Sequence, residues 1–127
     1  MLRIVRLFTI FYVIVLTLLL ELPGTQNLHP VVPGFGLRYA HLITFALLGF
    51  LVELGRCKKS MLFWIVVLAL YACSTEVLQG LLNSICHREF DWQDILQDVL
   101  GMLFGTIIGH YCRPLVQRLF ESLDKKG

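Results

Sequence analysis

Several ionisable and polar side chains interrupt or begin long apolar segments of this chain. In chain order they are His41, Glu76, Gln79, Asp94 and Asp98. A charge at the centre of a bilayer costs about 2.5–3.5 kcal/mol on membrane-insertion scales, so a chain that keeps several is expected to use them. Carboxyl and imidazole groups can exchange protons, bind cations or hold polar ligands. These residues therefore predict a polar functional site among apolar helices.

The segments that carry these side chains have the length of membrane helices. The chain is 57% hydrophobic over 127 residues, against about 45–50% in soluble domains. Each apolar segment is close to the ~20 residues that cross a bilayer core, where only internally hydrogen-bonded structures such as helices are stable. The sequence therefore predicts an all-α, integral membrane four-helix bundle, a single domain spanning 1–127. Its predicted helices are 4–22, 37–55, 60–82 and 94–112, followed by a short cytoplasmic tail, 113–127.

The basic residues predict the orientation of the bundle. All of the eleven Lys and Arg residues except Arg38 and Arg88 lie at or before the start of the first helix, between the second and third, or after the fourth. Short loops rich in Lys and Arg stay in the cytoplasm, which predicts a multi-pass protein with both termini inside. The first helix is expected to be retained, because its exit at 21–25 lacks a small-residue cleavage site. No basic cluster indicates a nucleic-acid partner.

Depth along the helices brings the polar groups to one level. With a rise of 1.5 Å per residue, His41 lies roughly 6 Å, and Glu76 and Asp98 roughly 9 Å, from the outer ends of their helices. Three helices thus place ionisable groups at similar depth, which predicts one outward-facing pocket. Its candidate ligand-binding residues, completed by the outer loop, are His41, Glu76, Gln79, Arg88, Asp91, Asp94 and Asp98. No metal or cofactor is predicted, and the four cysteines match no disulfide or zinc pattern.

A glycine stripe on the fourth helix predicts close helix packing. Gly101, Gly105 and Gly109 are four residues apart, and such small-residue faces let another backbone approach.

The inner halves of helices two to four are predicted to be apolar. Glu53 lies beside Arg56 near an inner helix end and is expected to form a solvated ion pair.

The order of several motifs resembles the VanZ-like family of small bacterial membrane proteins. The resemblance covers about residues 37–110 and rests on the segments 41–50 (HLITFALLGF), 71–79 (YACSTEVLQ), Arg88, 91–94 (DWQD) and 101–105 (GMLFG). Members often have Asn where this chain has Asp98, and Lys where it has Arg38. The named member is associated with low-level resistance to teicoplanin, a lipoglycopeptide antibiotic. The resemblance implies a protein of the bacterial cell envelope, in the cytoplasmic (inner) membrane.

Four functions remain open. The favoured one is a binding or modulating protein whose pocket engages a lipid-linked envelope component or a lipophilic glycopeptide antibiotic, with Arg88 and Arg38 holding an anionic head group. An intramembrane hydrolase or transferase on a lipid-linked substrate is the alternative, with Glu76 or Asp94 and His41 as base and acid, or Mg²⁺ on the three aspartates. The two remaining hypotheses are a proton pathway and a purely structural subunit. Expected partners are membrane lipids, the lipid-linked precursor or lipoglycopeptide, and a homo-oligomer or membrane complex.

Overall fold

The computed structural model describes residues 2–21, 35–56, 60–81 and 92–124, which form four helices. These are α1 (Leu2–Glu21), α2 (Phe35–Gly55), α3 (Met61–Leu81) and α4 (Trp92–Asp124). Within these residues there is no strand, so the all-α prediction is confirmed.

Three of the helices are long and apolar enough to cross a membrane. They are α1, α3 and α4, whereas α2 carries a shorter apolar stretch, Tyr39–Gly55. Large apolar side chains such as Phe8, Leu70 and Phe104 are exposed on their outer faces, as expected for surfaces that meet lipid. The predicted membrane-spanning helices are therefore confirmed for three of the four. The remaining helix, α2, packs against each of the other three.

Hydrogen bonds align the helices and define two ends of the bundle. The Arg6 Nε–H donates to the Gly55 carbonyl (3.0 Å), which joins the start of α1 to the end of α2. Helix α3 begins a few residues after α2 ends, so α1 and α3 run in the same direction, and the hydroxyls of Thr17 and Tyr71 lie 2.8 Å apart between them. We call the end where α2 and α4 begin the His41 end. The opposite end, where α2 finishes and α1 and α3 begin, is the Glu53 end.

The closest packing in the bundle joins α2 to α4 along small residues. A Cβ atom added to Gly101 would overlap the Leu42 carbonyl, and one added to Gly105 would overlap the Ala46 carbonyl. Backbone therefore lies directly against backbone, which only glycine permits. These two glycines of the stripe lie in the contact between α2 and α4. Beside this contact lies an apolar core of Leu16, Phe45, Leu48, Leu68, Ala72 and Met102.

The last helix is longer than the sequence indicates. It continues beyond Cys112 through Pro114 to Asp124 instead of ending before the predicted tail. Proline has no N–H, so the carbonyl of His110 receives no helical hydrogen bond from residue 114. The helix nevertheless continues, because the break removes one bond while the residues after it keep a helical pattern of apolar and charged side chains.

Candidate functional site

A buried histidine–aspartate pair joins α2 to α4 at the His41 end. The Nδ1 atom of His41 lies 3.0 Å from Oδ1 of Asp98, and the two side chains are 8% and 2% exposed. A carboxylate at Nδ1 orients the imidazole ring and favours the tautomer with its proton on that nitrogen. Two residues predicted for the pocket are thus in direct contact.

Helix α3 contributes a polar face at the same end of the bundle. Thr75, Glu76 and Gln79 are buried on one side of the helix, in line with the apolar Leu68 and Ala72. Their spacing of three and four residues keeps them on one face, and Glu76 and Gln79 are each only 2% exposed. This face turns inward, so the polar groups lie inside the bundle rather than in lipid.

Of the remaining residues predicted for the pocket, the structure describes one side chain and not the others. Asp94 lies one turn before Asp98 on α4 and is half-buried. Arg88, Asp91 and the side chain of Arg38 lie outside the described part of the chain. The described members of the pocket are therefore four buried polar side chains on three helices, with Asp94 at their edge.

The described side chains form no group that resembles a metal centre. Within residues 2–21, 35–56, 60–81 and 92–124, no three His, Cys, Asp or Glu side chains come together as cation ligands. Asp91, one of the three aspartates considered for Mg²⁺, is outside these ranges. The interaction seen at Asp98 is with an imidazole instead.

A second buried charged cluster lies at the Glu53 end, in the inner halves of the helices that the sequence predicts to be apolar. Glu53 is 1% exposed, and its Oε1 lies 2.9 Å from Arg56, 3.3 Å from His110 and 3.9 Å from Arg113. The expected pairing with Arg56 is present, but the carboxylate is buried and not solvated. The interpretation of the inner halves as apolar is wrong for the same reason.

Parallel packing of α2 and α4 explains why both clusters form. His41 and Asp98 are 57 residues apart in sequence, and so are Glu53 and His110. Two helices running in the same direction keep such an offset constant, so an acid–imidazole pair recurs 12 residues, or about 18 Å, along the bundle. Sequence reasoning missed His110; the shared offset of 57 residues is the signal that identifies it, once α2 and α4 are known to pack in parallel.

These features together define a helical membrane protein with a buried polar cluster near each end of one close helix pair. The model of the VanZ/LLP1 family matches residues 4–113. The chain therefore belongs to the VanZ/LLP1 family, in agreement with the resemblance seen in its motifs. Neither curated proteins nor solved structures yielded a match.

Proposed function

We propose that this VanZ-family protein binds a lipid-linked component of the bacterial envelope, or a lipophilic glycopeptide, through the polar site at its His41 end. One observation carries the proposal: three helices bury His41, Glu76, Gln79 and Asp98 at the same end. Polar groups inside an apolar bundle are costly and are kept mainly where they act. The proposal includes Arg88 and Asp91, which the sequence assigns to the same pocket.

The chemistry of these groups suits a ligand with a polar head and a lipid tail. Carboxyl and amide side chains accept and donate hydrogen bonds, and an arginine binds phosphate or carboxylate through two parallel bonds. The exposed apolar surfaces of α1, α3 and α4 suit contact with the tail of such a ligand. A ligand anchored in the bilayer would reach the site without leaving the membrane.

The basic residues support a bundle with both termini in the cytoplasm. Four arginines lie at or near the Glu53 end, namely Arg3, Arg6, Arg56 and Arg113. Under the positive-inside rule this end faces the cytoplasm. The His41 end then faces outward in the inner membrane, where lipid-linked envelope components and external antibiotics are met.

The His41–Asp98 pair favours an intramembrane hydrolase or transferase as the second candidate. A carboxylate that orients a histidine through Nδ1 is a recurring arrangement in general base catalysis. In this arrangement proton exchange with a substrate takes place at Nε2. The binding proposal is preferred, because three helices contribute buried polar groups to the site and the exposed apolar helix faces suit a ligand with a lipid tail.

Lipids retained by the purified protein test the binding proposal. Wild type, Glu76→Gln and Arg88→Ala are reconstituted in nanodiscs with total envelope lipids, and the retained species are identified by mass spectrometry. We expect wild type to hold a lipid-linked species that both variants lose. A chemically altered species in wild type alone would establish the enzyme instead.

The matched control replaces an exposed acid far from the site. Glu121 lies on the exposed part of α4, and Glu121→Gln makes the same chemical change as Glu76→Gln. We expect this variant to retain the wild-type lipid. If all four proteins fold and carry the same bulk lipids, the polar cluster serves helix packing and the binding proposal is wrong.

A further inference from the structure

A lateral groove between α1, α2 and α3 lies away from the polar site. It has a volume of about 430 Å³, within the roughly 300–1,000 Å³ of small-molecule sites. Its wall is apolar and includes Ile10, Val13, Val52 and Val67. The helices that form it face lipid, so an acyl chain is the natural occupant of such a wall.

Two arginines lie where this groove meets the Glu53 end. Arg6 and Arg56 both belong to its lining. Arg6 donates from Nε to the Gly55 carbonyl, and among the described residues no carboxylate pairs with its guanidinium. Its terminal amino groups are therefore available to a ligand.

The charges around this end leave an excess of positive charge. Arg56 and Arg113 lie against the Glu53 carboxylate, and Arg6 is held at the same end by the Gly55 carbonyl. Arg56 and Arg113 share Glu53, and Arg113 also donates to the Arg56 carbonyl (3.0 Å). Basic pockets between membrane helices attract anionic lipid head groups, so the charge favours a phosphate over a neutral or cationic group.

A buried hydrogen-bond donor lies at the same level of the groove. Trp64 belongs to the lining, and its indole Nε1 is buried with no hydrogen-bond partner among the described residues. A buried donor of this kind normally has a partner. Trp64 lies three residues into α3 and Arg6 four residues into α1, so they are roughly 4.5 Å and 6 Å from the starts of their helices. An ester or phosphate oxygen at this depth would accept from the indole.

We infer that this groove is a binding site for an anionic glycerophospholipid of the surrounding bilayer. The phosphate lies at Arg6 and Arg56, the indole N–H of Trp64 donates to a head-group oxygen, and one acyl chain follows the apolar wall between α1 and α3. The site is independent of the His41 end, and either proposal can fail without the other.

Native mass spectrometry in detergent tests the site with equimolar phosphatidylglycerol and phosphatidylcholine of identical acyl chains. We expect wild type to retain phosphatidylglycerol preferentially. Arg6→Gln removes the charge and should lower this preference about fivefold, the contribution of one basic residue near an anionic surface. Arg6→Lys should restore it, and Arg3→Gln, at an exposed basic residue outside the lining, should leave it unchanged.

Two neighbouring valines allow binding in the groove to be distinguished from binding to a basic surface alone. Val67 lines the groove and Val66 does not, although both are exposed. Val67→Phe fills the groove and should lower retention of phosphatidylglycerol, while Val66→Phe should not. Circular dichroism and gel filtration confirm folding of every variant. If Arg6→Gln does not fold, the valine pair decides the question.

Three results would overturn the inference. Equal retention of the two lipids by wild type excludes selectivity for an anionic head group. Loss of selectivity in Arg6→Gln, with Val67→Phe behaving as Val66→Phe, indicates a basic surface without a groove site. A dimer in the same spectra that Val67→Phe abolishes shows that a second copy of the chain occupies the groove.

Discussion

Replacing Gly105 by alanine tests whether direct backbone contact between α2 and α4 holds the bundle together. The added Cβ would overlap the Ala46 carbonyl, which is backbone and cannot move by changing a rotamer. The two helices must therefore separate. Separation also lengthens the 3.0 Å contact between His41 and Asp98, which bridges the same pair of helices.

Two opposing effects determine how much Gly105→Ala changes the free energy of unfolding. Alanine favours a helix over glycine by about 0.8–1.0 kcal/mol. Overpacking a well-packed contact costs typically about 1–3 kcal/mol, and an overlap with backbone belongs at the upper end of that range. We therefore expect Gly105→Ala to lower the free energy of unfolding by about 1–2 kcal/mol.

The same substitution at Gly55 is the matched control. A Cβ there would lie 3.4 Å from Arg6 Cγ and from Val5 Cγ1, which is ordinary contact. Gly55→Ala should be neutral or stabilising by up to about 1 kcal/mol. Unfolding by SDS in mixed micelles, followed by circular dichroism, measures both variants. If Gly105→Ala is as stable as Gly55→Ala, direct backbone contact does not hold α2 to α4.

Three further predictions concern the buried pairs and the orientation. A double-mutant cycle with His41→Leu and Asp98→Leu should give a coupling of about 0.6–1.7 kcal/mol, the range of intramembrane hydrogen bonds; a coupling near zero would contradict the contact. Glu53→Leu should destabilise by about 1.5–3 kcal/mol because it removes the charge-assisted hydrogen bond to the partly exposed Arg56. The exposed control Glu121→Leu should change stability by less than about 0.5 kcal/mol; equal losses would mean that Glu53 is not a buried partner. A fluorescent reporter fused after Gly127 should be active and an alkaline phosphatase fused there inactive, as a cytoplasmic terminus requires. The opposite result would show that the bundle has the opposite orientation.

Short-range patterns explain most of what could be predicted about the candidate site. The three- and four-residue spacings on α3 place Glu76 and Gln79 on one buried face, and helical rise alone brings His41 and Asp98 to one level. The solvated ion pair predicted for Glu53 is wrong, because a glutamate beside an arginine at a helix end has the same local pattern whether it is solvated or buried. Its burial follows from α4, which places His110 and Arg113 against it.

The amino-acid sequence by itself determined the helical class, the apolar segments, the glycine packing face and the family, because these depend on local composition and on spacings of a few residues. Only the tertiary structure decided that α2 and α4 run side by side at a constant offset of 57 residues. That offset brings together side chains that no local pattern relates, and it creates the buried cluster at Glu53. The groove beside Arg6 and Trp64 arises in the same way, since three helices far apart in sequence must meet before it exists.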